Sequence, residues 1–334
     1  MGWGGSTAQI GGMFARAAAR CGVPAQLVDA GHDLTTGWFD RIAFRLLARR
    51  HRREAAFNRH ILAAAARFTP TVVLATGLVP VRRSTLEELR HTYRAVTVNY
   101  MTDDPFNPRH RSPTAVDAIR AFDLYLSLKP AVDDDLRRAG ARRICRSWFG
   151  YDPESHFPER APAADNGRWS ADATFVGGAD RDRASLFGPL RRWSAAHERS
   201  FAVFGSYWNR FPEYRSCYRG FANGPHYRYA LTAAGVLLSP VRRANRDWHT
   251  MRTFEAAAVG AFMLLERTPD HLELFEEGRH AGFFDGAEEL RDKCAFYLDR
   301  EDDRRRMAAA AHARITDGGH TYADRLVQIL QWVS

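Results

Sequence analysis

Short apolar runs rich in Val, Leu and Phe alternate along the chain with longer stretches whose apolar positions recur every three or four residues. In the first half the runs are "AQLVDA", "TVVLATG", "AVTVNY", "DLYLSL" and "RRICRSWF". In the second half they are "DATFVGG", "SFAVFGS", "GVLLSP" and "AFMLLE". A strand covered on both faces shows a near-continuous apolar run instead of strict alternation, so these segments predict parallel sheets sandwiched by helices. Helices are expected over 37–66, 84–92, 181–196, 286–298 and 301–313. Strand and helix alternating in this way define an α/β class.

Between the two series lies "GYDPESHFPERAPAADNGRW", residues 150–169. It is rich in Pro, Gly and polar residues and carries no apolar period, which predicts a linker. The expected architecture is two doubly wound, Rossmann-like parallel-sheet domains facing a cleft, over residues 1–150 and 151–317. In such sheets ligands bind at the carboxyl ends of the strands, where the strand order reverses. The chain opens "MGWGGSTAQIGGMFARAAARCG", a Gly-rich turn feeding a helix, as though the first strand of the first domain were missing. A Gly-rich loop at a helix N-terminus lets a phosphate come close to backbone N–H groups.

Composition narrows the function classes. The 334 residues are 45% hydrophobic and 26% charged, as in a globular chain. No run approaches the length of a membrane-spanning helix, and no basic segment followed by an apolar core marks a signal peptide at the start. Cys21, Cys145, Cys217 and Cys294 lie far apart with no metal-ligand spacing, which predicts buried, inert thiols in a reducing cytosol. The net charge is +9, and among 48 basic residues only Lys129 and Lys293 are lysine. A basic surplus favours anionic partners. Here, however, basic residues are interleaved with acids, as in "EDDRRR" and "DRDRAS", without a basic stripe carrying aromatics. A nucleic-acid partner is therefore not expected, while peripheral contact with an anionic membrane stays open.

Candidate chemistry gathers in three places. In "NRDWHTMRTFE" Asp247 and Glu255 flank the entrance of a helix expected to begin near His249 or Thr250. Unpaired N–H groups in the first turn attract a diphosphate, and Arg252 adds a charge there. In "FVGGADRDR" Gly177 and Gly178 allow close backbone approach, and Arg181 or Arg183 can grip phosphate oxygens; a surface ion pair is the alternative for either arginine. In "NYMTDDPFNPRHRS" the polar loop after a strand offers Asp103, Asp104 and His110 to an acceptor, turn formation being the plainer reading of Asp-Asp-Pro. One of the three would act as general base if the reaction inverts. His156 in "DPESHFP" reads as structural. Asp180 with Asp182, and Asp133 to Asp135, form Asp-x-Asp pairs without a recognisable third ligand, so no metal is expected.

Taken together, "VNYMTDDPFN", "RSWFGYDPESHFP", "ATFVGGADRDR", "FAVFGSYW", "HTMRTFEAAAVGAFMLLERTPDHLELFEEG" and "HARITDGGHTYADRLVQIL" resemble, in this order, the spore-maturation (CgeB-type) branch of the group 1 glycosyltransferases. The resemblance covers most of residues 55–332. It implies a bacterial, cytoplasmic, two-domain enzyme of GT-B architecture, whose last helix, from about 318, packs back on the N-terminal domain. The family's Glu-x7-Glu motif falls on Asp247 and Glu255, with Asp departing from Glu at the first position. By resemblance Glu255 takes the nucleotide ribose and Asp247 the hexose. The implied reaction moves a sugar from a nucleotide-diphosphate donor to a glycan, lipid-linked or small-molecule acceptor, with retention and with no cofactor or metal. The alternatives are a catalytically degenerate binding protein of the same fold, or a nucleotide-sugar epimerase or phosphorylase.

Overall fold

The structure, a computed structural model, describes residues 9–34, 51–108 and 111–334. The chain divides into two compact units. The first takes the described residues up to Phe149 together with Ala244–Asp247 and Tyr322–Ser334. The second takes Gly150–Arg243 and Trp248–Thr321.

In the first unit the elements follow as α1 (Ile10–Arg20), α2 (Ala30–Leu34), α3 (Glu54–Phe68), β1 (Val72–Thr76), α4 (Arg83–Tyr93), β2 (Val96–Met101), α5 (Pro113–Ala118), β3 (Leu124–Ser127), α6 (Asp133–Arg138) and β4 (Ile144–Arg146). The four strands pair in parallel in the order β1-β2-β3-β4, with Val72 opposite Val96 and Val98 opposite Leu124. Helix α3 stops where Thr69 turns into the left-handed region at φ 47°, and α4 stops in the same way at Arg94, φ 53°. Phe57 and Ile61 of α3, Leu86 and Leu89 of α4, and Ile119, Phe122 and Tyr125 bury against the sheet. Each large apolar side chain buried in this way stabilises the unit by about 1.5–3 kcal/mol.

The second unit runs β5 (Ala171–Val176), α7 (Arg181–Ala196), β6 (Phe201–Phe204), α8 (Pro225–Thr232), β7 (Ala234–Ser239), α9 (Met251–Ala258), β8 (Met263–Glu266), α10 (Pro269–Leu274), β9 (Gly282–Phe284), α11 (Ala287–Leu298) and α12 (Glu301–Thr316). Its five parallel strands stand in the order β6-β5-β7-β8-β9. The chain steps from β5 outward to β6, then returns to the other side of β5 at β7, so the winding reverses between β5 and β7. That reversal opens a crevice beyond their carboxyl ends. Phe175, Phe187, Trp208 and Tyr214 pack as an aromatic cluster under this sheet, Phe175 and Phe187 with ring centroids 5.0 Å apart.

Three features depart from the sequence reading. "AQLVDA" is not a strand: residues 24–28 are irregular, and only Asp29 makes a bridge. The expected helix over 37–66 is seen from Glu54, its earlier part up to residue 50 lying outside the described residues. Residues 150–169 are not a plain linker. They fold into the second unit, and Trp169 there is 1% exposed, stacked between Phe204 and His226. Of the cysteines, Cys217 and Cys294 are buried as expected, whereas Cys21 is exposed and Cys145 half-buried. Burial pushes the Cys294 thiol up to about 12. Among the described residues no helix is long and apolar enough to cross a membrane.

Candidate functional site

In the second unit, the crevice at the ends of β5 and β7 is built from backbone first. Gly177 and Gly178 follow β5, and Gly205 follows β6 at φ +125°. A Cβ on Gly205 would lie 2.5 Å from the Gly177 carbonyl oxygen, so the two loops touch through bare backbone. A Cβ on Gly178 would meet Ser206 Oγ at 2.9 Å. Gly177 N–H donates to Phe204 O at 2.8 Å, and Trp208 Nε1 donates to Gly177 O at 2.9 Å, which fixes the loop.

The arginines expected near this loop divide. Asp180 caps α7 by accepting the Arg183 backbone N–H at 2.9 Å. The Arg183 side chain folds back, donating to Gly178 O at 2.8 Å with its guanidinium 5.1 Å from the Phe175 ring centre. Arg183 therefore braces the glycine loop. Arg181 is exposed on the first turn of α7. Arg252, in the first turn of α9, approaches the same ring, its guanidinium 5.5 Å from the centre. Its Nη1 is 3.5 Å from the position a Gly177 Cβ would take, and its buried Nε has no hydrogen-bond partner among the described residues. A guanidinium with an unspent donor beside a glycine loop and a helix N-terminus is suited to phosphate oxygens.

The start of α9 is held by a buried chain of hydrogen bonds. The N-cap Thr250 donates its N–H to Thr253 Oγ1 at 3.1 Å, and Thr253 Oγ1 lies 3.0 Å from His271 Nε2. His271 Nδ1 lies 2.6 Å from the Glu266 carbonyl, so its proton is on Nδ1 and Nε2 accepts from the threonine hydroxyl. Burial lowers the His271 pKa to about 4 and keeps the ring neutral. His249 is fully buried with Nδ1 2.5 Å from Asp270 Oδ2, and Thr268 Oγ1 donates to Trp248 O at 2.5 Å. His249 and Thr250 thus set the entry angle of α9.

One turn into α9, Glu255 is 3% exposed. The Tyr227 hydroxyl, from α8, donates to its Oε2 at 2.5 Å, and His156 Nε2 lies 3.4 Å from its Oε1. His156 comes from the supposed linker, where Asp152 organises a tight turn: its side chain accepts from Glu154 N at 3.2 Å and Ser155 Oγ at 2.9 Å. Arg228 of α8 ties to the same loop through Glu159 Oε2 at 2.6 Å and Ser155 O at 3.3 Å. Neither His156 nor Tyr227 was singled out for function by the sequence. An unusual "DPxSH" turn before an aromatic-rich helix is the only trace they leave.

In the first unit the loop after β2 forms a separate polar cluster. Asp104, 3% exposed, accepts both fork donors of Arg246, Nε to Oδ2 at 2.7 Å and Nη2 to Oδ1 at 3.0 Å. Arg246 also donates to Asp135 Oδ2 at 2.5 Å, and these carboxylates push the Arg246 pKa further up. Asn245 accepts from Asp104 N at 2.9 Å and donates to Asp247 Oδ1 at 3.0 Å. Asp247 is 8% exposed and forms an ion pair with Lys129, itself 1% exposed. With both oxygens on Arg246, Asp104 is geometrically a scaffold residue, at odds with the catalytic part expected for it. Asp103 is half-buried and accepts Thr102 Oγ1 at 2.9 Å. His110 lies outside the described residues. The cluster brings Asp103, Asp104 and Asp247 together within this unit. Glu255 and the glycine loop are grouped within the other.

Residues 183–331 match the family described as glycosyl transferase-like. Among solved structures the chain is similar to sucrose-phosphate synthase from Thermosynechococcus elongatus, at 13% identity and TM-score 0.60, over 83% of this chain and 77% of that one. It is similar to Anabaena HepE in complex with UDP-glucose, at 12% identity and TM-score 0.58, over 82% of each chain. It also resembles alpha,alpha-trehalose 6-phosphate synthase from Burkholderia multivorans, at 14% identity and TM-score 0.58, over 91% of this chain and 77% of that one. No curated protein sequence matches the chain. The structural likenesses carry the fold, two Rossmann-like parallel-sheet domains of GT-B type. The family match, over residues 183–331, covers less than half of the chain.

Proposed function

We propose that the chain is a nucleotide-sugar-dependent glycosyltransferase, of the CgeB-type branch, whose donor nucleotide is held by the second unit. The observation that carries this reading is Arg252. Its unpartnered Nε and its guanidinium sit between the Gly177 loop and the N-terminus of α9, with Glu255 one turn further on. A diphosphate fits the loop, the helix N-terminus and Arg252, and a ribose diol fits the buried carboxylate. HepE, of the same fold, binds UDP-glucose, which supports a nucleotide sugar as donor.

In this reading the C–O bond between the anomeric carbon and the diphosphate breaks, and a C–O bond to the acceptor hydroxyl forms. The acceptor proton leaves with the diphosphate, which Arg252 helps to neutralise. Retention follows if the departing diphosphate itself takes that proton, and neither a metal nor a protein base is then required. Acceptor chemistry falls to the first unit, with Asp103 a candidate carboxylate on the β2 loop.

A thermal-shift screen with UDP, GDP, ADP, CDP and dTDP tests the reading. A bound nucleotide at one hundred times its dissociation constant adds about 2.7 kcal/mol to stability. One nucleotide is expected to stabilise the wild type, and Arg252→Ala and Glu255→Ala are each expected to lose most of that shift. If no nucleotide shifts the wild type, the donor-site reading fails and a binding protein of the same fold takes its place.

A further inference from the structure

We propose that Tyr227 and His156 are positioning residues that hold the Glu255 carboxylate in a form reading a vicinal diol, so that the site selects ribonucleotides over 2′-deoxyribonucleotides. The inference rests on the proposed donor site. It adds two residues from outside α9 and a specificity that the spacing of acids alone does not contain.

The protons can be placed. His156 Nδ1 accepts the backbone N–H of Asp152 at 3.1 Å, so this nitrogen carries no hydrogen. The proton of the neutral ring is then on Nε2, the atom 3.4 Å from Glu255 Oε1. On the other oxygen, Tyr227 is the donor, because a carboxylate can only accept. Burial and the neighbouring Glu255 push the phenol pKa far above its ordinary value, so this donor does not ionise in any working range. The Arg252 guanidinium acts on the same phenol in the opposite sense, drawing its pKa down. The guanidinium expected at the diphosphate and the carboxylate expected at the ribose thus both act on one tyrosine.

Counting lone pairs gives the specificity. An ionised carboxylate offers two acceptor positions on each oxygen. Tyr227 takes one on Oε2, and His156 Nε2 faces Oε1 at 3.4 Å, leaving at least one on each. Two adjacent hydroxyls, one per oxygen, are what that arrangement accepts. The ring of His156 also stands edge-on to Tyr227, with centroids 6.2 Å apart at 73°, so neither donor can swing away without disturbing the other. The turn of Asp152 and the Arg228–Glu159 tie hold the loop and α8 in register. A 2′-deoxyribose leaves one buried acceptor unpaired.

The test is calorimetric titration of the full chain with the nucleoside diphosphate found in the screen and its 2′-deoxy counterpart. For the wild type a preference of about tenfold or more for the ribo form is expected, the scale of one buried hydrogen bond to a charged group. In Tyr227→Phe the carboxylate is free to rotate, and the preference is expected to fall to about twofold, mainly through loss of ribonucleotide affinity. A purely structural role would weaken both nucleotides equally and leave the ratio unchanged. His156→Gln keeps a donor close to the Nε2 position and is expected to retain the preference, whereas His156→Leu is expected to lose it. These loop variants decide the matter even if Tyr227→Phe does not fold. If Glu255→Gln abolishes nucleotide binding while Tyr227→Phe and His156→Leu keep the wild-type ratio, the positioning proposal is overturned and the donor site stands. If Glu255→Gln leaves binding intact, the donor-site assignment fails, and this inference with it.

Discussion

Lys129 is one of two lysines in a chain whose other cations are arginine, and it is almost completely buried against Asp247. A compact ammonium fits a pocket that a planar guanidinium does not. Removing one partner of a buried pair strands the other charge, at a cost of about 3–5 kcal/mol. Lys129→Met is therefore expected to lower stability in urea unfolding by that amount. Lys129→Met combined with Asp247→Leu should return most of the loss. A double variant as unstable as the single one would show that the pair does more than neutralise itself. His271 supplies a second residue-scale expectation. Its folded pKa of about 4 lies below the ordinary 6.5, so the unfolded chain binds the proton more readily. Stability from this group is complete above pH 6.5 and falls as pH drops toward 4, by an amount on the order of 3 kcal/mol. His271→Phe should flatten that part of the acid limb in unfolding measured between pH 7 and pH 4.

At the scale of elements, the glycine loops and the start of α9 decide the site. A methyl group at Gly205 would press on the Gly177 carbonyl at 2.5 Å, with backbone rather than a flexible side chain in the way. Gly205→Ala should therefore cost about 1–3 kcal/mol by overpacking at a strained position. It should also weaken nucleotide binding in the same titration, because the loop facing Arg252 must shift. Much of this layer was readable in the chain. The sequence placed α7 at 181–196, where the structure has Arg181–Ala196, and the start of α9 near His249 or Thr250, of which Thr250 is the N-cap. The reading failed where period carries no information. Strand β9 is only Gly282–Phe284, too short to show a repeat, and went unnoticed. "AQLVDA" has the composition of a strand, yet its residues are irregular and Leu27 is 38% exposed. Membership of a sheet depends on a neighbour to pair with, and composition does not report one.

At the scale of the whole molecule, the units are not continuous pieces of chain. Ala244–Asp247 and Tyr322–Ser334 both return to the first unit from beyond its main segment. The C-terminal helix, Tyr322–Val333, packs on α1, with Tyr322 edge-on to Phe14 at 5.2 Å. Arg325 on that helix is 3% exposed and donates to Phe149 O at 3.2 Å. Deleting residues 322–334 removes Tyr322, Leu326 and Ile329 from the core. At about 1.5–3 kcal/mol for each large side chain, the first unit should lose several kcal/mol. Limited proteolysis is expected to cut first within that unit, and a deletion with unchanged melting and cleavage would show that the helix adds little. The order β6-β5-β7-β8-β9 makes the reversal at β5 and β7, and so places the crevice.

The α/β alternation, most helices and the acids and glycines at strand ends are legible in the chain, because each is reported by residues within a few positions. How those residues are partnered emerges from the folded chain. Lys129 meets Asp247 across 118 positions, and Tyr227 meets Glu255 across 28. The turn of a segment that reads as linker carries His156 to the same carboxylate. Strand order and burial choose these pairs. Local periodicity records which face of an element is covered, and says nothing of what covers it.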